Sequence, residues 1–191
     1  MPSTASPRAE TRQNRGPAAA ADNRRALIAA AREVYAEGGL AAPFSAVAKR
    51  AGVGQGSLYR HFPDRTALAV AVFEDNVRDL EEYTAEPDRT IEDLLDRVVD
   101  QAVASTAFIQ LVTADLTDPR VAALGERFHG VVQRLVARDH AAGRIGAHVE
   151  IEDVTMATGM LATELARTDA AARPAVSDRA RRLFRAAFAP R

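Results

Sequence analysis

The chain has 191 residues, of which 47% are hydrophobic and 27% are charged, so it is long and apolar enough to bury a sizeable core. It contains no cysteine, which excludes disulfides and thiolate chemistry and fits a reducing compartment. The sequence lacks an uninterrupted run of about 18 apolar residues and has no apolar signal core at its N-terminus. We therefore predict a cytoplasmic protein that does not interact with membranes.

Charge is distributed unevenly along the chain. The formal net charge is −1, yet residues 1–65 carry 10 Lys and Arg against 5 Asp and Glu, and residues 66–191 carry 15 against 21. A basic N-terminal third and an acidic remainder suit a protein whose N-terminal part meets a polyanion. Nucleic acid is therefore the leading class of partner.

Residues 1–22 are rich in Pro, Ala, Ser, Thr and Arg and show no apolar period, so we predict a disordered arm. After this arm, apolar residues recur three and four positions apart, which predicts helices and no strand. The first helix is predicted from about Asn23 to Glu37, and Gly38 and Gly39 end it. The whole pattern predicts an all-α fold of about nine helices.

Two short helices separated by one glycine turn follow the first helix. We predict them over Phe44 to Ala51 and Gln55 to Phe62, with Gly52 between them because glycine readily takes a positive φ. This layout is typical of a helix-turn-helix motif, whose second helix enters the major groove of DNA, about 12 Å wide. Residues 23–66 are accordingly predicted to form a DNA-binding domain.

The second of these helices carries side chains suited to DNA. Gln55, Ser57 and Arg60 can read base edges, since glutamine pairs with adenine and arginine with guanine through two hydrogen bonds. Gly56 allows the backbone to approach DNA closely. Phosphate contacts set the register of a protein on DNA without reading its sequence, and the residues placed to make them are Tyr59, His61 and Arg65.

A long fourth helix is predicted from Arg65 to about Thr84, with Asp64 as its N-cap. Its apolar residues form two stripes, one of Val70, Phe73, Val77 and Leu80 and another of Leu68 and Val72. We interpret this helix as a connector that packs on both sides. Five further helices are predicted, over residues 91–103, 108–116, 119–143, 151–167 and 177–188.

The stretch AVAKRAGVGQGSLYRHFPDRTAL, residues 46–68, resembles the tetracycline-repressor (TetR) family of bacterial regulators. The matching positions are Val47-Ala48, Ala51-Gly52-Val53, Leu58-Tyr59, His61-Phe62, Arg65 and Leu68, together with the Gly38-Gly39-Leu40 link. Family members often place Thr at the start of the second helix and Ser at the turn, where this chain has Pro43 and Gly54. Ser45 is therefore a candidate to replace one of these hydroxyl contacts to phosphate.

The resemblance implies that residues 67–191 form a helical domain that binds a small effector and dimerises. The last two long helices would form the dimer interface, and the residues expected there are Ile151, Val154, Leu161, Leu165, Leu183, Phe184, Ala187 and Phe188. A homodimer would present two recognition helices about 34 to 36 Å apart to double-stranded DNA with a roughly palindromic operator.

The resemblance also implies a cavity among the C-terminal helices, and several residues are candidates to line it. The apolar candidates are Phe73, Val77, Phe108, Phe128, Met156 and Met160, which could instead simply fill the core. The polar candidates are Gln101, Thr113 and His129.

Other chemistry finds little support in the sequence. His129, His140 and His148 do not fall on adjacent turns of one helix face, so we predict no metal and no cofactor. Neither a strand-turn-helix serine elbow nor a glycine-rich phosphate loop is present, so we do not expect an enzyme. We predict a transcriptional repressor that a small-molecule effector releases from its operator. The alternative is a helical protein-interaction module that has lost sequence-specific DNA binding.

Overall fold

The computed structural model describes residues 17–104, 109 and 117–191. Within these residues the chain forms eight α-helices and one short 3-10 helix, Gly39–Ala41, which confirms the all-α prediction. The α-helices are α1 (Pro17–Gly38), α2 (Phe44–Arg50), α3 (Gln55–His61), α4 (Arg65–Thr84), α5 (Ile91–Ala104), α6 (Pro119–Ala141), α7 (Ile151–Arg167) and α8 (Arg173–Phe188). The helix predicted over residues 108–116 lies outside the described residues apart from Ile109. None of the described helices is long and apolar enough to cross a membrane.

Two helices begin earlier than the sequence predicted. Helix α1 starts at Pro17, so residues 17–22 are helical and do not belong to an arm. Proline suits the first helical position because its missing N–H would have no partner there, and the alanines that follow are strong helix formers. Helix α8 starts at Arg173, four residues before the predicted Ser177, with proline again in its first turn. Residues 1–16 of the predicted arm lie outside the described residues.

Helices α1 to α3 and the first turns of α4 pack around one core. Leu27, Val47, Leu58 and Leu68 lie at its centre and are fully buried. Gly52 takes a φ of +66° after α2, and the Val53 N–H donates to the Ala48 carbonyl at 3.0 Å, which closes the turn before α3. This core also includes Leu68, Ala69, Ala71 and Val72 of α4.

The remaining helices pack around a second core. It is built from α5, α6, α7 and α8 and includes Leu94, Val131, Leu135 and Leu165. The buried carboxylate of Asp139 on α6 accepts a hydrogen bond from the Ile91 N–H at 2.9 Å, so it caps the N-terminus of α5 from another helix. Arg144 pairs with the other oxygen of this carboxylate at 2.7 Å.

Helix α4 belongs to both cores. Its Leu68 and Val72 lie in the N-terminal core and its Leu80 lies in the C-terminal core, while Phe73 packs against both. A smaller apolar cluster joins α4 to α6 and consists of Val70, Val77, Val121 and Leu124. The predicted cap is also present, since the Asp64 side chain accepts from the Ala67 N–H at 2.6 Å. The two apolar stripes predicted for this helix therefore face two different partners.

Candidate nucleic-acid interface and internal cavity

Helix α3 presents one polar face to solvent and one apolar face to the core. Leu58 and Phe62 are buried and hold the helix against the N-terminal domain. The residues predicted to contact DNA lie on the opposite side: Gln55, Gly56, Tyr59 and Arg60 are exposed, and Ser57 and His61 are half-buried. Residues four positions apart share a helix face, which pairs Gln55 with Tyr59, Gly56 with Arg60 and Ser57 with His61.

Tyr59 is exposed but held in place. Its ring meets that of Phe44 on α2 edge to face, with ring centroids 5.5 Å apart and an interplanar angle of 77°. About half of the residue, 52%, is exposed and open to a partner. A ring held in this way suits a phosphate contact through its hydroxyl, because little conformational freedom is lost on binding.

The starts of α2 and α3 carry no side-chain caps. Pro43 and Gly54 occupy the N-cap positions, and neither makes a side-chain capping bond. These are the two positions where family members often carry hydroxyl residues, so the chain lacks both hydroxyls. Ser45 is half-buried in the first turn of α2.

The structure places Arg65 differently from the prediction. Its guanidinium donates to the Ala42 carbonyl at 3.0 Å and lies over the Tyr35 ring, 5.9 Å from the centroid. Burial raises the pKa of the Tyr35 hydroxyl, and the Arg65 charge opposes this shift. Because Tyr35 belongs to α1, the Arg65 side chain lies against α1. It therefore braces the start of α4 within the N-terminal domain.

A further exposed cation lies on α2, the helix that precedes α3. Lys49 on α2 is exposed and forms no ion pair with any residue the structure describes. Its neighbour Arg50 pairs with Glu33 at 2.9 Å and Glu37 at 2.8 Å, and its hydrogen bond lowers the pKa of Glu37. Sequence reasoning did not select Lys49, because adjacent basic residues look equivalent until their acidic partners are known.

Polar bonds join α1 to the connecting helix. Arg32 of α1 donates to the Asn76 side-chain oxygen at 2.9 Å and to the Val72 carbonyl at 3.2 Å. Burial lowers the pKa of Arg32, and the charges of nearby Asp75 and Asp79 oppose the shift. The N-terminal domain is thus bonded to the middle of α4 as well as packed against its start.

A second polar link joins α6 to the start of α4. Arg120 pairs with Asp118 at 2.6 Å and reaches Asp64 at 3.5 Å. The Arg120 hydrogen bonds lower the pKa of Asp118 to about 2. Because this carboxylate stays ionised until the pH falls near that value, the ion pair is present throughout the neutral range.

A cavity of about 440 Å³ lies between α4, α5, α6 and α7. Four of the predicted lining residues border it: Phe73, Val77, Gln101 and Phe128. His129 does not line it, and Phe108 and Thr113 lie outside the described residues. Asn76 and Thr155 also border the cavity, and sequence reasoning missed both. Asn76 interrupts an apolar stripe of α4, a signal that could have singled it out.

On α7 and α8 the structure places two sets of residues differently from the prediction: those expected to line the cavity and those expected at the dimer interface. Met156 and Met160, expected in the cavity, are each 60% exposed, because α7 turns its other face inward. The residues buried in the protomer's own core, although predicted at the dimer interface, are Val154, Leu161, Leu165 and Phe188. Of the other predicted interface residues, Ile151 and Phe184 are half-buried, and Leu183 and Ala187 are exposed.

The packed unit of α1 to α3, with its glycine turn and outward polar face on α3, defines a helix-turn-helix DNA-binding protein. Residues 27–72 match the family described as "Bacterial regulatory proteins, tetR family". The chain is a TetR-family transcriptional regulator. This assignment does not favour the alternative of a protein-interaction module without DNA binding.

Solved structures of this family share the fold. A TetR transcriptional regulator of Streptomyces coelicolor is 26% identical, with a TM-score of 0.63 over 87% of this chain and 98% of that chain. A TetR transcription regulatory protein of Mycobacterium vanbaalenii is 26% identical, with a TM-score of 0.65 over 90% of this chain and 98% of that chain. A gamma-butyrolactone receptor, an ArpA-like protein, is 18% identical, with a TM-score of 0.59 over 90% of each chain. The comparison with curated proteins finds no significant match.

Proposed function

We propose that the protein is a homodimeric repressor that leaves a palindromic operator when a small molecule binds the cavity between α4 and α7. One observation carries this proposal: α4 borders the cavity and also completes the core of the DNA-binding domain. Phe73 combines both roles, since it lines the cavity and packs against the two cores. The protein acts by binding, not by catalysis, and in the cytoplasm, where its DNA target lies.

Release follows from differential binding. An effector that prefers the arrangement with badly spaced recognition helices lowers the affinity for DNA by its own preference for that state. The small molecule need not contact α3, because α4 transmits a change in the cavity to the N-terminal core. Identical operator affinity with and without a molecule that binds the cavity would contradict this mechanism.

The proposed DNA contacts divide into two groups. Gln55, Ser57 and Arg60 read base edges in the major groove. The phosphate contacts come from Ser45, Tyr59, His61 and the added Lys49, with Gly56 allowing close approach. Arg65 is a positioning residue that fixes the start of α4 through Ala42.

The two groups predict different mutant behaviour. Arg60→Ala is expected to cost about 1 to 3 kcal/mol with the preferred base pair and little with others, so preference relaxes at one position. Lys49→Ala is expected to weaken binding to all sequences alike and to lower the salt slope by about 1. Fluorescence-anisotropy titrations at several salt concentrations measure both effects. They use an operator obtained by random-oligonucleotide selection, together with its single-base variants.

Arg65→Ala provides the contrasting variant. Because its guanidinium is bonded within the domain, we expect lower thermal stability with an unchanged salt slope. A salt slope lowered by about 1 would instead return Arg65 to the phosphate-binding group.

For Arg60→Ala, a uniform loss of affinity across all base variants would count against its role in base reading.

The proposed dimer forms through the outer faces of α7 and α8. Met156, Met160 and Leu183 are large apolar side chains, each at least 60% exposed, on these two helices. Exposed apolar residues grouped in this way mark a contact surface on a soluble chain. A two-fold axis through this surface would pair it with itself and set the spacing of the two recognition helices.

A random-oligonucleotide selection tests the DNA-binding part of the proposal. We expect enrichment of a sequence with two inverted half-sites about one helical turn apart. If no sequence is enriched and DNA retention is insensitive to salt, a protein-interaction module becomes the better description. The enriched site can also be searched for upstream of neighbouring genes, whose products would suggest effectors.

A further inference from the structure

Asn76 lies in the middle of α4, where it borders the cavity and bonds to α1. The residue is only 5% exposed, and its Oδ1 accepts a hydrogen bond from Arg32 at 2.9 Å. A guanidinium can only donate, so this bond fixes which end of the amide is oxygen. The Nδ2 points away from Arg32, is shielded from water and has no hydrogen-bond partner among the residues that the structure describes.

A second polar atom at the same cavity is also unpaired. The Thr155 hydroxyl on α7 is buried and finds no partner in the described part of the chain. Thr158, one turn further along, borders the cavity too, but its hydroxyl bonds to the Val154 carbonyl at 3.0 Å. Buried polar groups nearly always have partners, so two exceptions at one cavity require an explanation.

The rest of the described lining offers little to a charged molecule. The Gln101 amide nitrogen donates to the main-chain carbonyl of Asn76 at 3.0 Å and to the Asp79 carboxylate at 2.9 Å. The other lining side chains in the described residues are apolar or threonine, and none of them is ionisable. Burying an unpaired charge is strongly unfavourable, so this lining suits an uncharged molecule.

We propose that the cavity takes an uncharged, largely apolar molecule with a carbonyl group that accepts a hydrogen bond from Asn76 Nδ2. The Thr155 hydroxyl is shielded in the same way, and it makes the second polar contact by turning toward the cavity. This inference rests on the proposed function of the cavity as the effector site and specifies the chemical class of the effector. The cavity volume of about 440 Å³ lies within the usual range for small ligands.

The same contact explains how the ligand acts on DNA binding. Because Nδ2 is shielded, the amide must rotate toward the cavity to meet a carbonyl, and this rotation draws Oδ1 away from Arg32. Arg32 belongs to α1, so occupation of the cavity weakens a bond between the DNA-binding domain and α4. The ligand carbonyl thus accepts a hydrogen bond from Asn76 Nδ2, and the bond between Asn76 and Arg32 is weakened as a result.

The experiment uses matched series of neutral and charged probes with the full-length protein and no DNA. The ketones are 2-heptanone, 2-nonanone and 2-undecanone, and the carboxylates are heptanoate, nonanoate and undecanoate. Isothermal titration calorimetry is expected to show binding of at least one ketone, at least about 10-fold tighter than the carboxylate of equal length. Failure of all three ketones to bind, or equal binding of the carboxylates, overturns the assignment.

Three variants locate the contact. Asn76→Asp keeps an oxygen for Arg32 but replaces the donor with an acceptor, so ketone binding should weaken by about 10-fold or more. Thr155→Val should weaken ketone binding by about 3- to 10-fold. Thr158→Val makes the same change at a hydroxyl that is already bonded, so its ketone affinity should stay within about 2-fold of the wild type. Equal effects of the two threonine variants, or unchanged binding by a folded Asn76→Asp protein, overturn the proposal.

Operator affinity with and without 2-nonanone separates this inference from the proposed function. Arg32→Met removes the bond to Asn76, together with the Arg32 bond to the Val72 carbonyl, so it should retain ketone binding while the ketone changes DNA affinity by less than about 2-fold. A full response in this variant overturns the Arg32 coupling. If the variants alter ketone binding as expected but the ketone never affects operator binding, the ligand class stands and the release mechanism falls. If instead a charged molecule releases the protein from its operator, the release mechanism stands and the ligand class falls.

Discussion

Met160→Glu is expected to convert the dimer into monomers and to lower operator affinity by at least about 100-fold. Met160 is 60% exposed on the outer face of α7, where a partner subunit would cover it. A two-fold axis places the substituted residue in the interface twice, and each buried carboxylate without a partner opposes association. A monomer then binds only one half-site. It loses the gain in affinity that comes from binding two linked half-sites, typically about 10²- to 10⁴-fold.

Sedimentation velocity measures the oligomeric state, and fluorescence anisotropy with the selected operator measures the affinity for DNA. Gln133→Glu is the matched control, since it adds the same charge at an exposed position of α6. The control should stay dimeric and bind the operator as the wild type does. A Met160→Glu protein that remains dimeric would show that the subunits associate through another surface.

Asp139→Ala is expected to lower the free energy of unfolding by about 1 to 3 kcal/mol. The carboxylate is 2% exposed and caps the N-terminus of α5 through the Ile91 N–H. Its removal leaves that buried N–H, the capped donor of α5, without a partner, at about 1 to 3 kcal/mol. This range overlaps the usual contribution of a helix N-cap, because the two describe the same bond. The Arg144 pair adds less, because the Arg144 side chain is 39% exposed and water can replace its partner.

Urea unfolding at one fixed protein concentration measures this loss, since dimer stability depends on concentration. Asp96→Ala is the control: its carboxylate pairs with Arg181 but is 60% exposed, so it should cost about 1 kcal/mol or less. Similar losses for Asp96→Ala and Asp139→Ala would mean that the α5 cap contributes little. Operator binding by folded Asp139→Ala protein should be unchanged, because Asp139 and its partners Ile91 and Arg144 lie outside both the DNA-binding domain and the cavity lining.

The N-terminal domain could be predicted closely because its signals are local. Gly52 was expected to turn the chain, and it does so with a positive φ. Asp64 was expected to cap α4, and its side chain bonds to the Ala67 N–H. Turns and caps depend on a few neighbouring residues, so their residue types predict them well.

The C-terminal assignments were less accurate because α7 is apolar on two sides. Periodicity identifies both sides but cannot say which one meets the protomer's own core and which one stays exposed. The structure buries Val154, Leu161 and Leu165 and leaves Met156 and Met160 outside. The methionines therefore support a dimer surface and not the cavity for which they were predicted.

Long side chains were the second source of error. Arg65 follows the recognition helix closely in sequence, yet its guanidinium bonds to Ala42 and lies over Tyr35. Lys49 and Arg50 are adjacent and chemically similar, yet only Arg50 has acidic partners among the described residues. The reach of an arginine or lysine spans several positions, so its partner depends on the packing of other helices.

The sequence by itself determined the helix-turn-helix, the connecting helix with its two apolar sides, and the class of partner, because spacing, caps and charge act over short distances along the chain. Only the tertiary structure decided which apolar face is core and which cations are paired. It also decided that Asn76 keeps an unpaired donor beside a cavity while bonded to α1. Burial and hydrogen bonding are properties of residues brought together from distant parts of the chain, and Arg32 and Asn76 meet only once α1 packs against α4.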